Sequence, residues 1–268
     1  MNIFEAFVLG IIQGATEFLP VSSSGHSVLI PALFGLSQPT LGMSIVAHLG
    51  TWLAVVIYFA RDLWSLLTGT FTSVKERQLM AYPESRLVGY IIISSIPAAI
   101  AGYIFNDWFE ALFTNARWAA FFLIGTAVVL IIGEKLLSGE KQLAEMSWQD
   151  ALVIGLFQMV ALFPGLSRSG STIMAGLIRG LNRELAARYS FLISVPIIFG
   201  AGLVEMPELI NRGFVVSPSI LLTIFMTSAV VGYLCIHFLM SWLRRRSLYP
   251  FAIYCATFGL LFLLFYRV

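Results

Sequence analysis

Two clusters of polar side chains interrupt an otherwise apolar chain. Gln13, Glu17, Ser22, Ser23, Ser24 and His26 form one, and Ser167, Arg168, Ser169, Ser171 and Thr172 form the other. Gln13 and Glu17 stand four apart, so on a helix they share a face, where an amide oxygen and a carboxylate suit a hard cation such as Mg²⁺ or Ca²⁺. His26 follows Ser22 and Ser23 by about one helical turn, within reach of a serine hydroxyl or a water as general base. Arg168 carries a planar guanidinium that matches phosphate oxygens in pairs. Hydroxyls and amides of Ser22, Ser24, Ser167, Ser169 and Thr172 can complete an anion cradle, which Gly165 and Gly170 allow the backbone to approach closely. Plainer readings stand beside these: Arg168 as the ion-pair partner of Glu17, and Gln13 and Glu17 as hydrogen-bonding groups between helices. The chemistry that the set suits is phosphoryl transfer, with Ser23 or an activated water as the nucleophile.

What holds these residues must be a membrane protein. The chain has 268 residues, 59% hydrophobic and 11% charged, with a mean hydropathy of +0.89, against the roughly 25% charged residues of soluble domains. A net charge of +2, dispersed among apolar segments, excludes a nucleic-acid surface. Cys235 and Cys255 lie inside apolar runs and indicate neither a disulfide framework nor a metal motif. The start Met-Asn-Ile-Phe-Glu lacks the basic opening of a cleavable signal, so it is expected to stay in the mature protein. The expectation is one polytopic domain over residues 1–268.

Six stretches are apolar and long enough to cross a bilayer as helices: about 43–60, 87–105, 117–137, 187–205, 217–241 and 250–267. Two further regions, 3–19 with 26–36 and 151–163 with 171–181, are broken by Ser-, Gly- and Pro-rich loops and read as re-entrant hairpins. A shift of 145 residues places Ala6, Val8, Gly10, Gln13 and Phe18 on Ala151, Val153, Gly155, Gln158 and Phe163. It also places Ser22, Ser24, Gly25, Gly35 and Leu36 on Ser167, Ser169, Gly170, Gly180 and Leu181. Segments 6–36 and 151–181 therefore read as copies, and the three spans between them make the repeat inverted. The expected fold is all-α: about six transmembrane helices plus two re-entrant helical hairpins. Segments 61–86, 135–150, 179–188 and 242–249 carry 12 Lys and Arg, and the opposite side carries Arg117, Arg212 and Arg267. By the positive-inside rule both termini lie outside the cytoplasm, and the first hairpin enters from there. Arg244, Arg245 and Arg246 read as a topology anchor in contact with membrane lipids, and His48 and His237 as packing or hydrogen-bonding residues.

With these motifs the chain resembles the undecaprenyl-diphosphate phosphatase family, the bacterial membrane enzymes associated with bacitracin resistance. One matching motif is Gln13-Gly-Ala-Thr-Glu17 running into Phe18-Leu-Pro-Val-Ser-Ser-Ser-Gly-His26, and the other is Pro164-Gly-Leu-Ser-Arg-Ser-Gly-Ser-Thr172. The resemblance implies removal of the terminal phosphate from a polyprenyl diphosphate lipid at a bacterial inner membrane, for recycling of a cell-wall lipid carrier. It implies roles for Glu17 in metal binding and catalysis, for Ser23 and His26 at the reacting centre, for Arg168 on the diphosphate, and an outward-facing site. Gln13 stands where a glutamate is commoner, and Cys255 where an arginine is common. The competing class is a transporter or flippase of a polyprenyl phosphate lipid, since inverted repeats and broken helices are frequent in transporters.

Overall fold

The structure, a computed structural model, describes residues 1–78, 81–137, 139, 141–212 and 216–266. Arg267, counted above among the basic residues, lies outside them. Among the described residues every regular element is helical apart from one isolated backbone bridge between Lys141 and Leu181. In chain order the helices are α1 (Ile3–Phe18), α2 (Ser23–Phe34), α3 (Leu41–Tyr58), α4 (Ala60–Lys75), α5 (Pro83–Ile104) and α6 (Asn106–Phe113). They continue as α7 (Ala116–Lys135), α8 (Trp148–Val160), α9 (Arg168–Ile178), α10 (Arg183–Arg212), α11 (Pro218–Leu243) and α12 (Tyr249–Phe265).

Among the described residues five of these, α3, α5, α7, α10 and α11, are long and apolar enough to cross a membrane. α12 is equally apolar but has 17 residues. Large apolar side chains point outward: Phe34, Trp64, Phe71, Tyr103 and Phe265 are each 70% exposed or more. Such a surface is an aggregation hazard in water and a match for lipid. α4 and α6 occupy stretches read from the sequence as connections. α4 is amphipathic, with Trp64, Leu67 and Phe71 exposed on a helix that also carries Arg61, Asp62 and Lys75, the pattern of a helix lying in the membrane interface.

α1 with α2, and α8 with α9, form the two broken pairs. α1 packs on α11 and α3, α8 on α5, α9 on α10 and α7, and α12 on α7. Each pair restarts on a serine cap. Ser22 Oγ accepts from Gly25 N at 3.1 Å, and Ser167 Oγ accepts from Gly170 N at 3.0 Å, which satisfies amide donors at the helix start. Gly165 sits at φ 99°, and a Cβ there would fall 2.1 Å from the Ala119 carbonyl oxygen. Both its conformation and its closeness to α7 therefore require glycine.

The four basic segments are joined at one end of the bundle. Arg188 pairs with Asp62, Arg183 with Glu134, and Arg244 with Glu184, while Lys141 and Arg179 both bind Asp150. Asp150, on the first turn of α8 and fully buried, accepts from Lys141 Nζ and Arg179 Nε at 2.7 Å and from Ser147 N at 2.8 Å. Burial works to raise the Asp150 carboxyl, but the hydrogen bonds from Lys141, Ser147 and Arg179 outweigh it and bring its pKa down from 3.8 to about 2. With the folded value below the unfolded one, the stabilisation is present above about pH 4 and is lost as pH falls through about 2. Asp150→Asn is expected to cost about 1–3 kcal/mol, because its two cations stay partly solvated. A lowered thermal-unfolding midpoint in detergent at pH 7, converging with wild type in acid, checks it.

Candidate active site

The two loops left by the broken helices meet. Gly165 N donates to Ser24 Oγ at 3.3 Å, and Ser169 Oγ donates to the Leu19 carbonyl at 3.2 Å. Within each tip the hydroxyls pair, Ser22 with Ser24 at 3.2 Å and Ser167 with Ser169 at 3.1 Å. Ser22 is held at φ 70°, a conformation that costs a non-glycine residue about 1–3 kcal/mol and needs such surroundings to persist.

Glu17 is the hub. The turn spacing read from the sequence puts Gln13 Nε2 3.0 Å from Glu17 Oε2, to which it donates. Ser23 Oγ donates to the same oxygen at 2.7 Å, and Arg168 Nη2 donates to Oε1 at 2.8 Å. Arg168 opens α9, and its Nη1 also donates to the Ser190 carbonyl at 3.4 Å. One carboxylate thus binds a hydroxyl, an amide and a guanidinium supplied by both loops. At the 145-residue shift Glu17 corresponds to Leu162, and Ser23 to Arg168.

These groups face a cavity of about 630 Å³ lined by Gln13, Glu17, Ser23, Ser24, Ser167 and Arg168. Its remaining wall is largely apolar, with Leu9, Ile45, Leu49, Leu162, Ile197 and Ile198. Gln38 and Pro39 on the α2–α3 connection, Phe113 at the end of α6 and Glu205 late in α10 also line it, toward the helix ends away from the ion-paired basic segments. Ser22, Gly165, Ser169, Thr172 and His26 stand behind this wall. Thr172 Oγ1 donates to the Arg168 carbonyl at 2.8 Å and lies 2.7 Å from Ser190 Oγ.

His26 is buried and doubly engaged. Its Nδ1 lies 2.8 Å from the Ser22 carbonyl, and its Nε2 lies 2.7 Å from the Tyr254 hydroxyl. A carbonyl only accepts, so the ring donates through Nδ1, and in the neutral form Tyr254 donates to Nε2. The ring stacks against Tyr254 and Phe258 at 5.6 and 5.3 Å between centroids. The hydroxyl of Ser23 accordingly has Glu17, and not His26, as its proton acceptor here.

Sequence reasoning left out several residues that build the site. Tyr254 holds His26, Thr126 bridges Gly165 O and Ser167 N at 2.9 Å each, and Ser190 receives Arg168. His48, read as a packing or hydrogen-bonding residue, does bond Ser44 and also stands in the cavity wall with Nε2 3.7 Å from Glu17 Oε2.

A divalent cation fits only with help from a ligand. Among the described residues no three His, Cys, Asp or Glu side chains converge. The hard donors are the Glu17 carboxylate, the Gln13 amide and the Ser23 hydroxyl. One carboxylate completed by substrate phosphate oxygens is the usual way that Mg²⁺ is held.

Comparison with known proteins agrees with the geometry. The family described as "Bacitracin resistance protein BacA" matches residues 6–261. The chain is 41% identical over 270 residues to "Undecaprenyl-diphosphatase" of Methanosphaera stadtmanae, covering 97% of each. It is 42% identical over 268 residues to the protein of that name from Geotalea daltonii, covering 99% of this chain and 98% of the relative. A third, from Halothermothrix orenii, is 40% identical over 267 residues, covering 98% of each. With its two matching loops meeting around one carboxylate, and a match over nearly its whole length, the chain belongs to the bacitracin resistance protein BacA family.

Proposed function

We propose that the chain hydrolyses undecaprenyl diphosphate to undecaprenyl phosphate and inorganic phosphate, returning the lipid carrier to cell-wall polymer synthesis. The observation that carries this is the Glu17 carboxylate bonded to both the Ser23 hydroxyl and the Arg168 guanidinium, in a cavity whose other wall is apolar. The polar end suits a diphosphate and the apolar end a prenyl chain, and relatives over nearly the full length carry the name undecaprenyl-diphosphatase.

In this reading the incoming diphosphate displaces Glu17 from Arg168, so the fork binds phosphate oxygens and the carboxylate is released as base. Ser23, already donating to Glu17, attacks the terminal phosphorus as its proton passes to the carboxylate. Undecaprenyl phosphate leaves, taking that proton from Glu17 on its departing oxygen, and water then cleaves the phosphoseryl bond as Glu17 accepts a proton from the water and returns it to the Ser23 oxygen while phosphate departs. A water deprotonated by Glu17 is the alternative nucleophile at the same position. Ser24 and Ser167 surround the phosphate, with Ser22, Gly165, Ser169 and Thr172 fixing the two tips behind them. His26 holds the first tip through Ser22 and Tyr254, so its effect on Ser23 is one of position. Gln13 and Glu17 would hold Mg²⁺ or Ca²⁺, which when bound would offset negative charge on the diphosphate.

The arrangement proposed in the membrane has six spans, with α12 as the sixth, and the broken pairs as hairpins entering from opposite faces. Ion pairs tying the four basic segments into one end support a single cytoplasmic side. Cavity-lining residues toward the other helix ends, Gln38, Pro39, Phe113 and Glu205, support a site facing away from the cytoplasm. Reporters fused to either terminus are expected to report from the noncytoplasmic side, and cytoplasmic signals from both would overturn this topology.

Phosphate release from undecaprenyl diphosphate by the purified protein, with and without divalent metal, tests the function. Release abolished by chelator is expected. Lipid movement across vesicles without phosphate release would replace hydrolysis by transport.

A further inference from the structure

We propose that His48 is a further protein ligand of the catalytic cation and biases the site toward ions that accept nitrogen, such as Mn²⁺, relative to Ca²⁺. The inference rests on the diphosphatase reading for the remaining ligands, which are taken to be substrate oxygens.

The orientation of the ring carries the argument. His48 Nδ1 lies 2.8 Å from the Ser44 carbonyl, one turn back on α3. Since the carbonyl only accepts, Nδ1 bears the hydrogen, and the lone pair of the neutral ring is left on Nε2. That nitrogen faces Glu17 Oε2 across 3.7 Å, in the wall of the same cavity as Gln13, Ser23 and Arg168. The separation is longer than a hydrogen bond, so the two groups do not satisfy each other. Two lone-pair centres at this separation repel unless positive charge lies between them. An Nδ1–H bonded to a backbone carbonyl, with Nε2 directed into a polar site, is the arrangement found in metal-binding histidines, where the carbonyl fixes the tautomer and raises the basicity of the other nitrogen.

The ring is also held in place and accessible. Its side chain is 45% exposed, whereas His26 is buried with both nitrogens engaged. Two residues on, a Cβ at Gly50 would fall 2.1 Å from Ser228 Oγ and 2.5 Å from the Phe225 carbonyl oxygen. α3 is therefore packed closely against α11, which sets where His48 reaches. Thr51 Oγ1 donates to the His48 carbonyl at 2.9 Å and braces the same turn.

Charge then decides when the cation binds. Glu17 and Arg168 cancel one another, so the protein alone offers a divalent ion little net attraction. A diphosphate supplies the missing negative charge, so cation and substrate bind together. Imidazole nitrogen suits Zn²⁺ best, and Mn²⁺, a first-row transition ion at the weak end of that series, still takes nitrogen more readily than Ca²⁺, which takes oxygen ligands; that difference is the source of the proposed selectivity.

The test is pulsed electron paramagnetic resonance of Mn²⁺ on the purified full-length protein, with a non-hydrolysable prenyl methylenediphosphonate. A histidine nitrogen coupling is expected in wild type, identified by ¹⁵N-histidine labelling. It is expected to persist in His26→Gln and to vanish in His48→Gln. Mn²⁺ affinity in the presence of the phosphonate should fall about tenfold or more in His48→Gln, with Ca²⁺ affinity little changed. Absence of any histidine coupling in wild type overturns the proposal even if a variant fails to fold, as does a coupling that survives His48→Gln. Phosphate release by wild type, measured separately, shows whether the diphosphatase reading stands when this assignment fails.

Discussion

Glu17→Gln is expected to lower turnover by about 10²–10⁴-fold at saturating substrate, the range that a positioned general base contributes. The amide has nearly the shape of the carboxylate but different valences. In the wild type both carboxylate oxygens only accept, from Gln13 and Ser23 on one and from Arg168 on the other. After substitution one of them becomes an NH₂ that meets either the Arg168 guanidinium, donor against donor, or the Gln13 amide and Ser23 hydroxyl, which must then turn to accept instead of donate. Arg168 is then left with its charge uncompensated inside the protein, which favours anion binding while removing the proton acceptor. The signature is therefore a collapse in kcat with KM unchanged or lowered, not rescued by raising substrate. Phosphate release and thermal unfolding on the same sample separate this from misfolding. A folded variant with near-normal maximal turnover would remove Glu17 from catalysis.

The parts of this site that could be read from the chain are those whose chemistry is costly in a bilayer. Glu17 and Arg168 stand out because a charge inside an apolar stretch must have a partner or a function. The two loops could be matched because Ser22 with Gly25, and Ser167 with Gly170, perform the same helix-capping task at the same offset. What the loop match alone could not show is how the two loops divide the labour, since the carboxylate lies beside only the first and the guanidinium only in the second. Tyr254 was out of reach for a different reason. It meets His26 from 228 residues away, and only the packing of α12 brings the two together.

His48 escaped because its neighbours Ala47, Leu49 and Gly50 make it look like one polar residue in a spanning helix. Its bond to Ser44 lies within α3 itself, but that it faces the cavity depends on how α3 packs against its neighbours. α4 escaped because its charged residues lower its hydropathy below that of a span, although its exposed Trp64, Leu67 and Phe71 give it a lipid-facing side. Hydropathy finds helices that cross the apolar layer more readily than those that lie along its edge.

Arg168→Lys is expected to reduce kcat/KM by about 10²–10³-fold, the scale on which removal of one preorganised donor for transition-state charge is felt. Charge is retained, so the loss measures geometry. The guanidinium spans two acceptors at once, with Nη2 on Glu17 and Nη1 toward the Ser190 carbonyl. An ammonium at this position is a single point that can follow Glu17 or a phosphate oxygen but cannot grip two oxygens in one plane. If Arg168 served only to neutralise Glu17, lysine would do so nearly as well, and both activity and thermal stability would stay close to wild type. If it cradles the diphosphate, stability is largely kept while inhibition by inorganic pyrophosphate weakens in step with kcat/KM. A folded Arg168→Lys protein within about threefold of wild type in both measurements, a difference of less than 1 kcal/mol, would confine Arg168 to an ion-pairing role and leave the phosphate to the serine hydroxyls and loop amides.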